Sequence, residues 1–346
     1  MTTRPLPAAD LDQVLAATRS LWDEVRGRRI FISGGTGFFG CWMVETFLHI
    51  NRVLALNACA TVLTRDPEAF LRKVPHLRHD PALTLLAGDV RTFAFPPEPH
   101  DFVIHAATEA SARQLAENPQ EMLSTILEGT QRVLTFAVLA KTRKLLLTSS
   151  GAVYGPQPPS VTHLLEDYAG AHPTLPHGNV YAEGKRASEL MCARAALTGL
   201  EVKITRGYAF IGPHLPLNAH FAAGNFLADA LAGRNIKIAS DGSSVRSYLY
   251  AADLAIWLWT ILFRAPSLRA YNVGSEDEVT IRQLAETIQA VVNPAIAVEV
   301  AQTPDPNRIP DRYVPSTSRA RSDLGLRQTV PLDEALRRTA AWHRLE

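Results

Sequence analysis

The chain has 346 residues, of which 47% are hydrophobic, and its 35 basic and 34 acidic residues give a formal net charge of +1. This size and composition predict one large α/β unit, or a dinucleotide-binding domain that carries a smaller substrate lobe. The balanced charge, without long runs of one sign, argues against a nucleic-acid partner or a polybasic membrane anchor. We therefore expect a small-molecule partner.

The three cysteines, Cys41, Cys59 and Cys192, stand in apolar surroundings without CxxC spacing or neighbouring histidines, which predicts reduced core thiols and no metal site. The N-terminal residues lack the apolar segment of a secretory signal. The most apolar stretch, residues 254–263, is about half as long as a bilayer-spanning helix must be. We expect a cytoplasmic protein without a membrane anchor.

Apolar periodicity over residues 9–25 predicts an amphipathic helix ahead of the main fold. From residue 29 onward, strand-length apolar runs alternate with segments of helical period. The candidate strands are residues 30–33, 60–64, 83–87, 102–105 and 145–149, with a return to the sheet at 202–205. This alternation predicts an α/β fold with a doubly wound parallel sheet of the Rossmann type.

After Pro213 the strand–helix rhythm becomes irregular, and helices are predicted at residues 221–232, 253–263 and 281–291. The predicted organisation has an N-terminal helical extension (1–28), a Rossmann domain (29–212) and a smaller C-terminal α/β substrate lobe (213–346). Because residues 202–205 return to the sheet just before the lobe begins, the two larger parts interleave.

The first predicted strand runs directly into the segment Gly34-Gly35-Thr36-Gly37-Phe38-Phe39-Gly40, which opens a helix. In such a turn Gly34 permits the tight bend, Gly37 lets the backbone approach a pyrophosphate, and Gly40 allows close helix–sheet packing. The N–H groups of the helix face the phosphates. The segment therefore predicts a dinucleotide site, the alternative being a glycine-rich turn that binds nothing.

The end of the second strand bears on the choice of cofactor, NAD or NADP. Thr64 stands where an NAD-selective site usually has a carboxylate, and Arg65 follows it. A guanidinium there would pair with the 2′-phosphate of NADP and stack on adenine. Asp66 moderates this preference, so NADP is favoured while NAD, or an exposed loop without a ligand contact, stays open.

The ends of the third and fourth strands supply further candidate cofactor contacts. Asp89, with Val90 beside it, is a candidate acceptor for the adenine amino group. In the segment His105-Ala106-Ala107, the small residues would let the chain pass close to the cofactor. His105 itself is more typical of a structural role at such a strand end.

The fifth strand ends in Ser149-Ser150, and Tyr181 and Lys185 stand four residues apart on a predicted helix. That spacing puts both side chains on one helix face, where the ammonium would stabilise the phenolate. Ser150 would then hydrogen-bond the reacting oxygen while Tyr181 moves its proton. The pattern Tyr-x-x-x-Lys is common by chance, but its combination with the upstream serine and the glycine loop is not.

With these residues the chain resembles the extended short-chain dehydrogenase/reductase family, which includes nucleotide-sugar epimerases, dehydratases and ketoreductases. The resemblance covers nearly all of residues 30–342. Its remaining shared positions are Gly129-Thr130, Val153-Tyr154-Gly155, Arg206, Gly212-Pro213, Asp253 and Tyr271-Asn272-Val273-Gly274. It implies that Tyr181 is the acid/base, that Lys185 also holds the nicotinamide ribose, and that Ser150 orients the sugar of a nucleotide-sugar substrate.

The resemblance also implies substrate contacts in the C-terminal lobe. Arg246 stands in a loop that resembles the one reaching a nucleotide diphosphate, Asn225 is at a common substrate-binding position, and Arg308 is a candidate second phosphate arginine. Surface ion pairs are the alternative for both arginines. A homodimer built from the helices that begin near Pro119 and Tyr181 is implied in the same way.

Departures from the family pattern narrow the expected reaction. Gly151 and Ala152 replace the Asp-Glu pair of the 4,6-dehydratases, and decarboxylases of the family also tend to keep a glutamate where Ala152 stands. Ala209 and Ile126 occupy positions where the family often has asparagine. We therefore expect an NAD(P)-dependent enzyme that transfers a hydride at a sugar carbon, most simply C4.

A nucleotide-sugar 4-epimerase is the first hypothesis, and a 4-ketoreductase that consumes NADPH is the second. A dehydratase remains a further alternative. A non-catalytic dinucleotide sensor on the same fold is disfavoured, because such proteins usually lack the tyrosine and lysine.

Overall fold

The structure is a computed structural model that describes residues 4–108, 115, 117–172, 179–218, 221–305, 307 and 309–344. Its strands, in chain order, are β1 (Arg29–Ser33), β2 (Cys59–Thr64), β3 (Leu83–Ala87), β4 (Phe102–His105), β5 (Lys144–Ser150), β6 (Glu201–Gly207), β7 (Phe210–Ile211), β8 (Ile236–Ile238), β9 (Val245–Arg246), β10 (Leu249–Tyr250), β11 (Ala270–Val273), β12 (Val279–Thr280), β13 (Val298–Val300) and β14 (Arg312–Tyr313).

The α-helices of the described chain are α1 (Ala8–Thr18), α2 (Phe38–Val53), α3 (Pro67–Lys73), α4 (Pro119–Leu139), α5 (Val180–Ala196), α6 (Ala222–Leu231), α7 (Ala251–Arg264), α8 (Ile281–Val292), α9 (Ser318–Leu324) and α10 (Leu332–Arg344). Short 3-10 segments cover Arg19–Val25, Pro75–Leu77 and Gly151–Tyr154. The predicted helices at 221–232, 253–263 and 281–291 correspond to α6, α7 and α8, within two residues at each end.

Seven strands form the central sheet, in the order β11-β6-β5-β4-β1-β2-β3, and every neighbouring pair is parallel. The predicted doubly wound parallel sheet is thereby confirmed. The strand order changes direction between β1 and β4, and in such sheets ligands bind in the crevice at the carboxyl ends of the strands next to that point. The loops after β1 and β4 therefore frame the expected ligand site.

The two faces of the sheet bury two separate apolar clusters. Ile30 and Ile32 of β1 join one cluster, whereas Phe31 between them joins the other. This follows from the alternation of side chains along a strand. Helices cover both faces, which explains why the strands read as nearly continuous apolar runs.

The N-terminal extension differs from the single helix predicted over residues 9–25. Helix α1 ends at Thr18, and the chain continues as a 3-10 segment. The Thr18 hydroxyl donates to the Val14 carbonyl oxygen over 2.6 Å and accepts the indole N–H of Trp22 at 3.0 Å. The tighter turn places Trp22 against Trp259, with ring centroids 4.8 Å apart. The sequence periodicity favours a helix that continues to residue 25, but the chain instead adopts the 3-10 turn that buries the Trp22 ring.

Three small sheets lie outside the central sheet in the described chain: β10 with β7, β13 with β8, and β9 between β12 and β14. The β9–β14 pair is parallel, and its register places Tyr313 opposite Arg246. A residue near the end of the chain is thereby fixed beside a predicted substrate arginine.

The thiols of Cys41 and Cys192 are buried, that of Cys59 is partly exposed, and all three are free. Burial raises the pKa of Cys41 to about 11 and that of Cys192 to about 12, so these two thiols stay protonated at neutral pH. In the part of the chain that the structure describes, no helix is both long and apolar enough to cross a membrane.

Candidate active site

An open cleft of about 280 Å³ lies at the carboxyl ends of β1 to β4. It is lined by Gly34, Thr36, Gly37, Leu63, Thr64, Arg65, Gly88, Asp89, Val90, Ala106, Ala107, Thr108, Glu121, Met122 and Thr125. Eight of the predicted cofactor residues from the first four strand ends therefore lie together: Gly34, Thr36, Gly37, Arg65, Asp89, Val90, Ala106 and Ala107. The other four, Phe38, Phe39, Gly40 and His105, are not among the residues that line the cleft. Glu121, Met122 and Thr125 of α4 were missed by the sequence analysis, because no motif distinguishes them from other helical residues.

The three glycines of the loop after β1 differ in what surrounds them. Gly34 has a φ of +74°, and a Cβ there would lie 2.4 Å from the Ala106 backbone. At Gly40 a Cβ would lie 2.3 Å from the Gly34 carbonyl oxygen. The fold itself therefore requires these two glycines.

Gly37 stands directly before α2, and a Cβ there would meet only the Gly34 carbonyl oxygen, at 3.5 Å. Its backbone faces open space at the N-terminal end of a helix of 16 residues. A pyrophosphate fits such a place, because helix N–H groups and the helix dipole favour an anion there. Phe38, half-buried, and Phe39, whose ring packs 4.9 Å from that of Phe210, begin the helix.

Arg65 is exposed at the edge of the cleft and makes no ion pair or hydrogen bond among the described residues. The Asp66 carboxylate accepts the backbone N–H of Ala69 at 2.8 Å and so caps α3. The Thr64 hydroxyl accepts the backbone N–H of Asp66 at 3.3 Å. At the end of β2, the Arg65 guanidinium is thus the polar group that remains available to a ligand.

Asp89 lines the cleft, where Arg91 holds it in a two-pronged ion pair with both contacts at 2.8 Å. The hydrogen bonds from Arg91 lower the pKa of Asp89 to about 2, so its carboxylate stays ionised at neutral pH. Asp89 Oδ1 also accepts the backbone N–H of Arg91 at 2.9 Å, whereas Oδ2 keeps a second lone pair and so has capacity to accept another donor.

The backbone after β4 lies close to the glycine loop, and Ala106, Ala107 and Thr108 line the cleft. The His105 side chain is turned into the core, where it contacts the Ser33 hydroxyl at 2.7 Å and the Thr130 hydroxyl at 3.1 Å. Burial lowers the pKa of His105 to about 3, so the imidazole is neutral. Its side chain therefore connects β1, β4 and α4 and does not reach the cleft.

Ser150, Tyr181 and Lys185 converge at the inner end of this region. Lys185 Nζ donates to the Thr148 carbonyl oxygen at 2.8 Å and to the Thr108 hydroxyl at 3.1 Å. It lies 5.9 Å from the ring centre of Tyr181, and the nearby Ser150 side chain acts to lower the pKa of Tyr181. The structure thus brings together the three residues predicted to be catalytic.

Burial affects both ionisable groups of this set. It lowers the pKa of Lys185 to about 8, against the opposing effect of the nearby Glu189 carboxylate. It also raises the pKa of Tyr181, while the hydrogen bond from Ser150 works in the opposite direction. Tyr181 therefore keeps its proton unless a nearby positive charge, or a further hydrogen bond to its phenolate form, lowers its pKa.

A buried polar network supports the end of β5. Arg206 makes a two-pronged ion pair with Glu189 at 2.7 and 3.0 Å and donates to the Tyr154 hydroxyl at 2.9 Å. Glu189 also accepts the Ser149 hydroxyl at 2.6 Å, and Tyr154 donates to Asn272 at 2.7 Å. Arg206, Tyr154 and Asn272 were recognised in the sequence only as shared positions, and the network explains them as supports of the strand that carries Ser150.

The predicted substrate residues lie in different settings. Arg246 is half-buried beside Tyr313, with hydrogen bonds to the Val245 carbonyl oxygen at 2.8 Å and the Asp311 carbonyl oxygen at 3.2 Å. Asn225 has an exposed side chain on α6. Arg308 lies outside the described residues.

Two tyrosines that no motif indicated, Tyr208 and Tyr313, lie beside Ser150. Their ring centroids are 4.4 Å apart, and the Tyr313 hydroxyl lies 3.4 Å from the Gly207 carbonyl oxygen. A Cβ at Gly151 would come within 2.7 Å of the Tyr208 ring and of the Tyr313 hydroxyl oxygen. These rings therefore fill the space beside the position where dehydratases resembling this chain have an acidic side chain.

Comparison with known proteins agrees with this geometry. The model of the NAD dependent epimerase/dehydratase family matches residues 30–274. UDP-glucuronic acid decarboxylase 3 of Arabidopsis thaliana is 30% identical over 320 residues, which cover 89% of this chain and 86% of that protein. UDP-glucuronic acid decarboxylase 1 of Danio rerio is 30% identical over 314 residues, covering 90% of this chain and 72% of that protein.

Solved structures show the same fold. The UDP-glucose 4-epimerase of Thermotoga maritima superposes with a TM-score of 0.77 at 19% identity, covering 91% of this chain and 98% of that one. A dTDP-glucose 4,6-dehydratase of Streptomyces venezuelae, with NAD bound, gives a TM-score of 0.78 at 23% identity, covering 91% and 97%.

Proposed function

The chain belongs to the NAD-dependent epimerase/dehydratase family, and we propose that it is an NAD(P)-dependent enzyme that transfers a hydride at C4 of a nucleotide sugar. The outcome is a 4-epimerase or a 4-ketoreductase. The observation that carries this proposal is the convergence of Ser150, Tyr181 and Lys185 beside the cleft, with Lys185 hydrogen-bonded to Thr148 and Thr108.

The cleft fits a dinucleotide along its length. Gly37 and the N-terminus of α2 would hold the pyrophosphate, Asp89 and Val90 the adenine, and Arg65 the adenosine ribose end. Ala106 and Ala107 leave room near the centre, and Lys185 would hold the nicotinamide ribose. When bound, the nicotinamide would supply the hydride acceptor and donor that no side chain provides.

The protein's own part in the reaction is proton transfer and orientation. Tyr181 would take the proton of the C4 hydroxyl as the carbon is oxidised, and return it when the carbon is reduced. Ser150 would donate a hydrogen bond to the same oxygen. The Lys185 ammonium would stabilise the phenolate of Tyr181, since an opposite charge nearby favours the ionised form.

A nucleotide diphosphate suits Arg246 of the predicted C-terminal lobe. Arg246 is fixed by the β9–β14 pair beside Tyr313, and so lies near the reacting end. A guanidinium is well matched to phosphate oxygens. The names of the curated relatives and of the solved structures, all enzymes of UDP or dTDP sugars, support the same substrate class.

The decarboxylase activity named for the curated relatives is not our first choice, although they align with about nine-tenths of the chain. Ala152 cannot exchange a proton, and the decarboxylases that this chain resembles tend to keep a glutamate there. Gly151, packed against Tyr208 and Tyr313, supplies no acid either. Transfer at C4 needs neither group.

The available guanidinium of Arg65 is the feature that supports a ketoreductase as the alternative to the epimerase. A ketoreductase consumes NADPH in each turnover, whereas an epimerase regenerates its bound cofactor. Arg65 would select the 2′-phosphate that distinguishes NADP from NAD. This observation keeps the reductase as the second candidate within the same chemistry.

We further propose a homodimer through α4 and α5, which pack against each other in one protomer. Apolar side chains remain exposed on both helices, with Leu139 at 67% and Leu190 at 65% exposed. Light scattering coupled to size exclusion would measure the mass, and a monomer at micromolar concentration would overturn the proposal.

The deciding experiment identifies both ligands. Mass spectrometry of the dinucleotide and nucleotide sugar released from freshly purified protein gives the candidates, and product NMR after incubation with each sugar gives the reaction. A C4 epimer, or reduction of a supplied 4-keto sugar, is expected. Binding of a dinucleotide without turnover of any UDP, dTDP, GDP or CDP hexose would favour the sensor instead.

A further inference from the structure

The Lys185 ammonium is held by two oxygen atoms from different parts of the fold. Its Nζ donates to the Thr148 carbonyl oxygen of β5 at 2.8 Å and to the hydroxyl oxygen of Thr108, which follows β4, at 3.1 Å. Lys185 is only 4% exposed, so these oxygens take the place of water as its partners. The Thr148 contact uses a backbone group, whereas the Thr108 contact depends on a side chain that no motif indicated.

We propose that Thr108 is a positioning residue for Lys185: its hydroxyl oxygen fixes the ammonium so that the remaining N–H points into the cleft, toward the nicotinamide ribose. The inference rests on the proposed function, in which Lys185 holds that ribose and stabilises the Tyr181 phenolate. It adds to the site a hydroxyl group that acts through Lys185.

The other hydrogen bonds of Thr108 leave its oxygen free to accept. The hydroxyl proton is donated to the Ala107 carbonyl oxygen at 2.8 Å, and the backbone N–H to the Ala106 carbonyl oxygen at 3.0 Å. Because its single proton is engaged in this way, the hydroxyl acts toward Lys185 as an acceptor. An ammonium has three N–H donors. Thr148 and Thr108 take two of them, which leaves one for a ligand.

Thr108 also places this contact at the wall of the cofactor cleft, which it lines together with Ala106 and Ala107. The same segment lies against the glycine loop. The Ala106 backbone N–H donates to the Ser33 carbonyl oxygen at 3.0 Å, and a Cβ at Gly34 would lie 2.4 Å from the Ala106 backbone. One segment therefore contacts both the loop proposed for the pyrophosphate and the ammonium proposed for the ribose.

The surroundings of Lys185 explain why one acceptor matters. Burial lowers its pKa to about 8, against the opposing effects of Glu189 and Cys192 on the same helix. His105 of β4 is neutral because burial lowers its pKa to about 3, and the Tyr181 ring faces the ammonium from α5. Loss of an oxygen acceptor disfavours the ammonium relative to the neutral amine, so the pKa of Lys185 should fall further without the Thr108 hydroxyl.

Two variants separate the hydroxyl from the shape of the side chain. Thr108→Val keeps the branched shape and removes the oxygen, whereas Thr108→Ser keeps the oxygen and removes a methyl group. Dinucleotide affinity is measured against pH in both, by titration of cofactor-free protein with whichever of NAD and NADP binds wild type more tightly.

In wild type the affinity should fall as Lys185 loses its proton, from about pH 8 upward. In Thr108→Val this fall should begin about one pH unit lower, which makes binding roughly tenfold weaker than in wild type at about pH 9. Thr108→Ser should keep the wild-type onset, because the serine hydroxyl supplies the same acceptor.

Denaturant unfolding of the ligand-free protein supplies a second readout. Thr108→Val should destabilise the protein more at about pH 6 than at about pH 10, since the hydroxyl stabilises the charged form of Lys185. This pH dependence should disappear when Thr108→Val is combined with Lys185→Met.

The outcomes distinguish the inference from the proposed function. An onset that is unchanged in Thr108→Val, or shifted equally in Thr108→Ser, overturns the inference. If the pH-dependent coupling is present in the ligand-free protein but Lys185→Met leaves dinucleotide affinity unchanged, the proposed role of Lys185 at the ribose is wrong, and the orientation toward the ribose that we assign to Thr108 is wrong with it.

Discussion

Lys185 Nζ donates a hydrogen bond to the Thr148 carbonyl oxygen at 2.8 Å, which ties the helix that carries Tyr181 to the strand that ends in Ser150. This contact fixes the relative position of two segments that are distant in sequence. The fold itself therefore holds the proposed catalytic residues in place.

Replacing Tyr181 with phenylalanine should reduce turnover by at least about 100-fold, because the change removes the proton donor. Dinucleotide affinity should change little, since the ring and its packing remain. Steady-state kinetics and cofactor titration measure the two effects. Tyr168→Phe, which alters a half-buried tyrosine packed near Tyr154, is the control. Near-normal turnover in Tyr181→Phe would remove this residue from the mechanism.

Replacing Lys185 with methionine should lower turnover and dinucleotide affinity together, because one ammonium serves both the phenolate and the ribose. The variant should also change the pH dependence of stability. In the folded protein the pKa of Lys185 is lowered from 10.5 to about 8, so between these values the unfolded chain binds the extra proton. The free energy of unfolding of the wild type therefore rises with pH across that window, by roughly 3 kcal/mol in total from this group.

Denaturant unfolding of the cofactor-free protein at several pH values tests this. The slope against pH should be smaller in Lys185→Met than in wild type across the same window. Equal slopes would show that the ammonium is not destabilised by burial, and unchanged cofactor affinity would show that it does not hold the ribose.

The elements of the sheet could be predicted from the sequence because buried parallel strands are marked by apolar runs of fixed length. Residues 83–87 and 102–105 agree with β3 and β4 at both ends. The proposed catalytic residues could also be found in the sequence, since Tyr181 and Lys185 share a helix and Ser150 ends a strand. Each of these predictions depends only on residues that stand close together in the sequence.

What could not be predicted depends on contacts between distant segments. Tyr313 lies beside Gly151 because β14 pairs with β9, and no local pattern encodes that pairing. The 3-10 turn after α1 depends on where Trp22 is buried. The inward orientation of His105 depends on hydrogen-bond partners supplied by β1 and α4.

Arg65 should make the protein bind NADP more tightly than NAD. Arg65→Ala should weaken NADP binding about tenfold more than NAD binding, because both cofactors lose the stacking on adenine but only NADP loses the ion pair with its 2′-phosphate. Titration of both cofactors into cofactor-free protein measures this. Arg72→Ala, which removes an exposed cation 3.9 Å from Asp66, is the matched control. An NADP preference that survives in Arg65→Ala would assign the 2′-phosphate to another group.

Gly37→Ala should fold normally and lose dinucleotide affinity. Its backbone angles, φ −77° and ψ −175°, suit alanine, and the added Cβ meets only one protein atom within 4 Å. The methyl group would instead occupy the space proposed for the pyrophosphate. Gly40→Ala is the contrasting variant, since its Cβ would lie 2.3 Å from the Gly34 carbonyl oxygen and should lower the melting temperature. Unchanged cofactor affinity in Gly37→Ala would place the pyrophosphate elsewhere.

With a nucleotide-4-hydroxyhexose as substrate, the enzyme should not release a 4-keto-6-deoxy product. Elimination of the C6 hydroxyl needs a base for the C5 proton and an acid for the leaving oxygen, and neither Gly151 nor Ala152 provides one. Tyr208 and Tyr313 occupy the space in which a side chain at position 151 would begin. Restoring the acid by Gly151→Asp should therefore disturb both rings instead of creating a dehydratase.

Three other residues are the candidates to substitute for the missing pair. Glu183 is engaged by Arg186 at 3.6 Å, while Glu109 and His220 lie outside the described residues. Incubation with UDP, dTDP, GDP and CDP hexoses, followed by NMR of the products, decides the matter. A 4-keto-6-deoxy sugar would contradict the prediction, and loss of that product in Glu183→Gln, Glu109→Gln or His220→Asn would identify the group responsible. A C4 epimer, or reduction of a supplied 4-keto sugar, would agree with Tyr181 and Ser150 acting at C4 without a second acid/base pair.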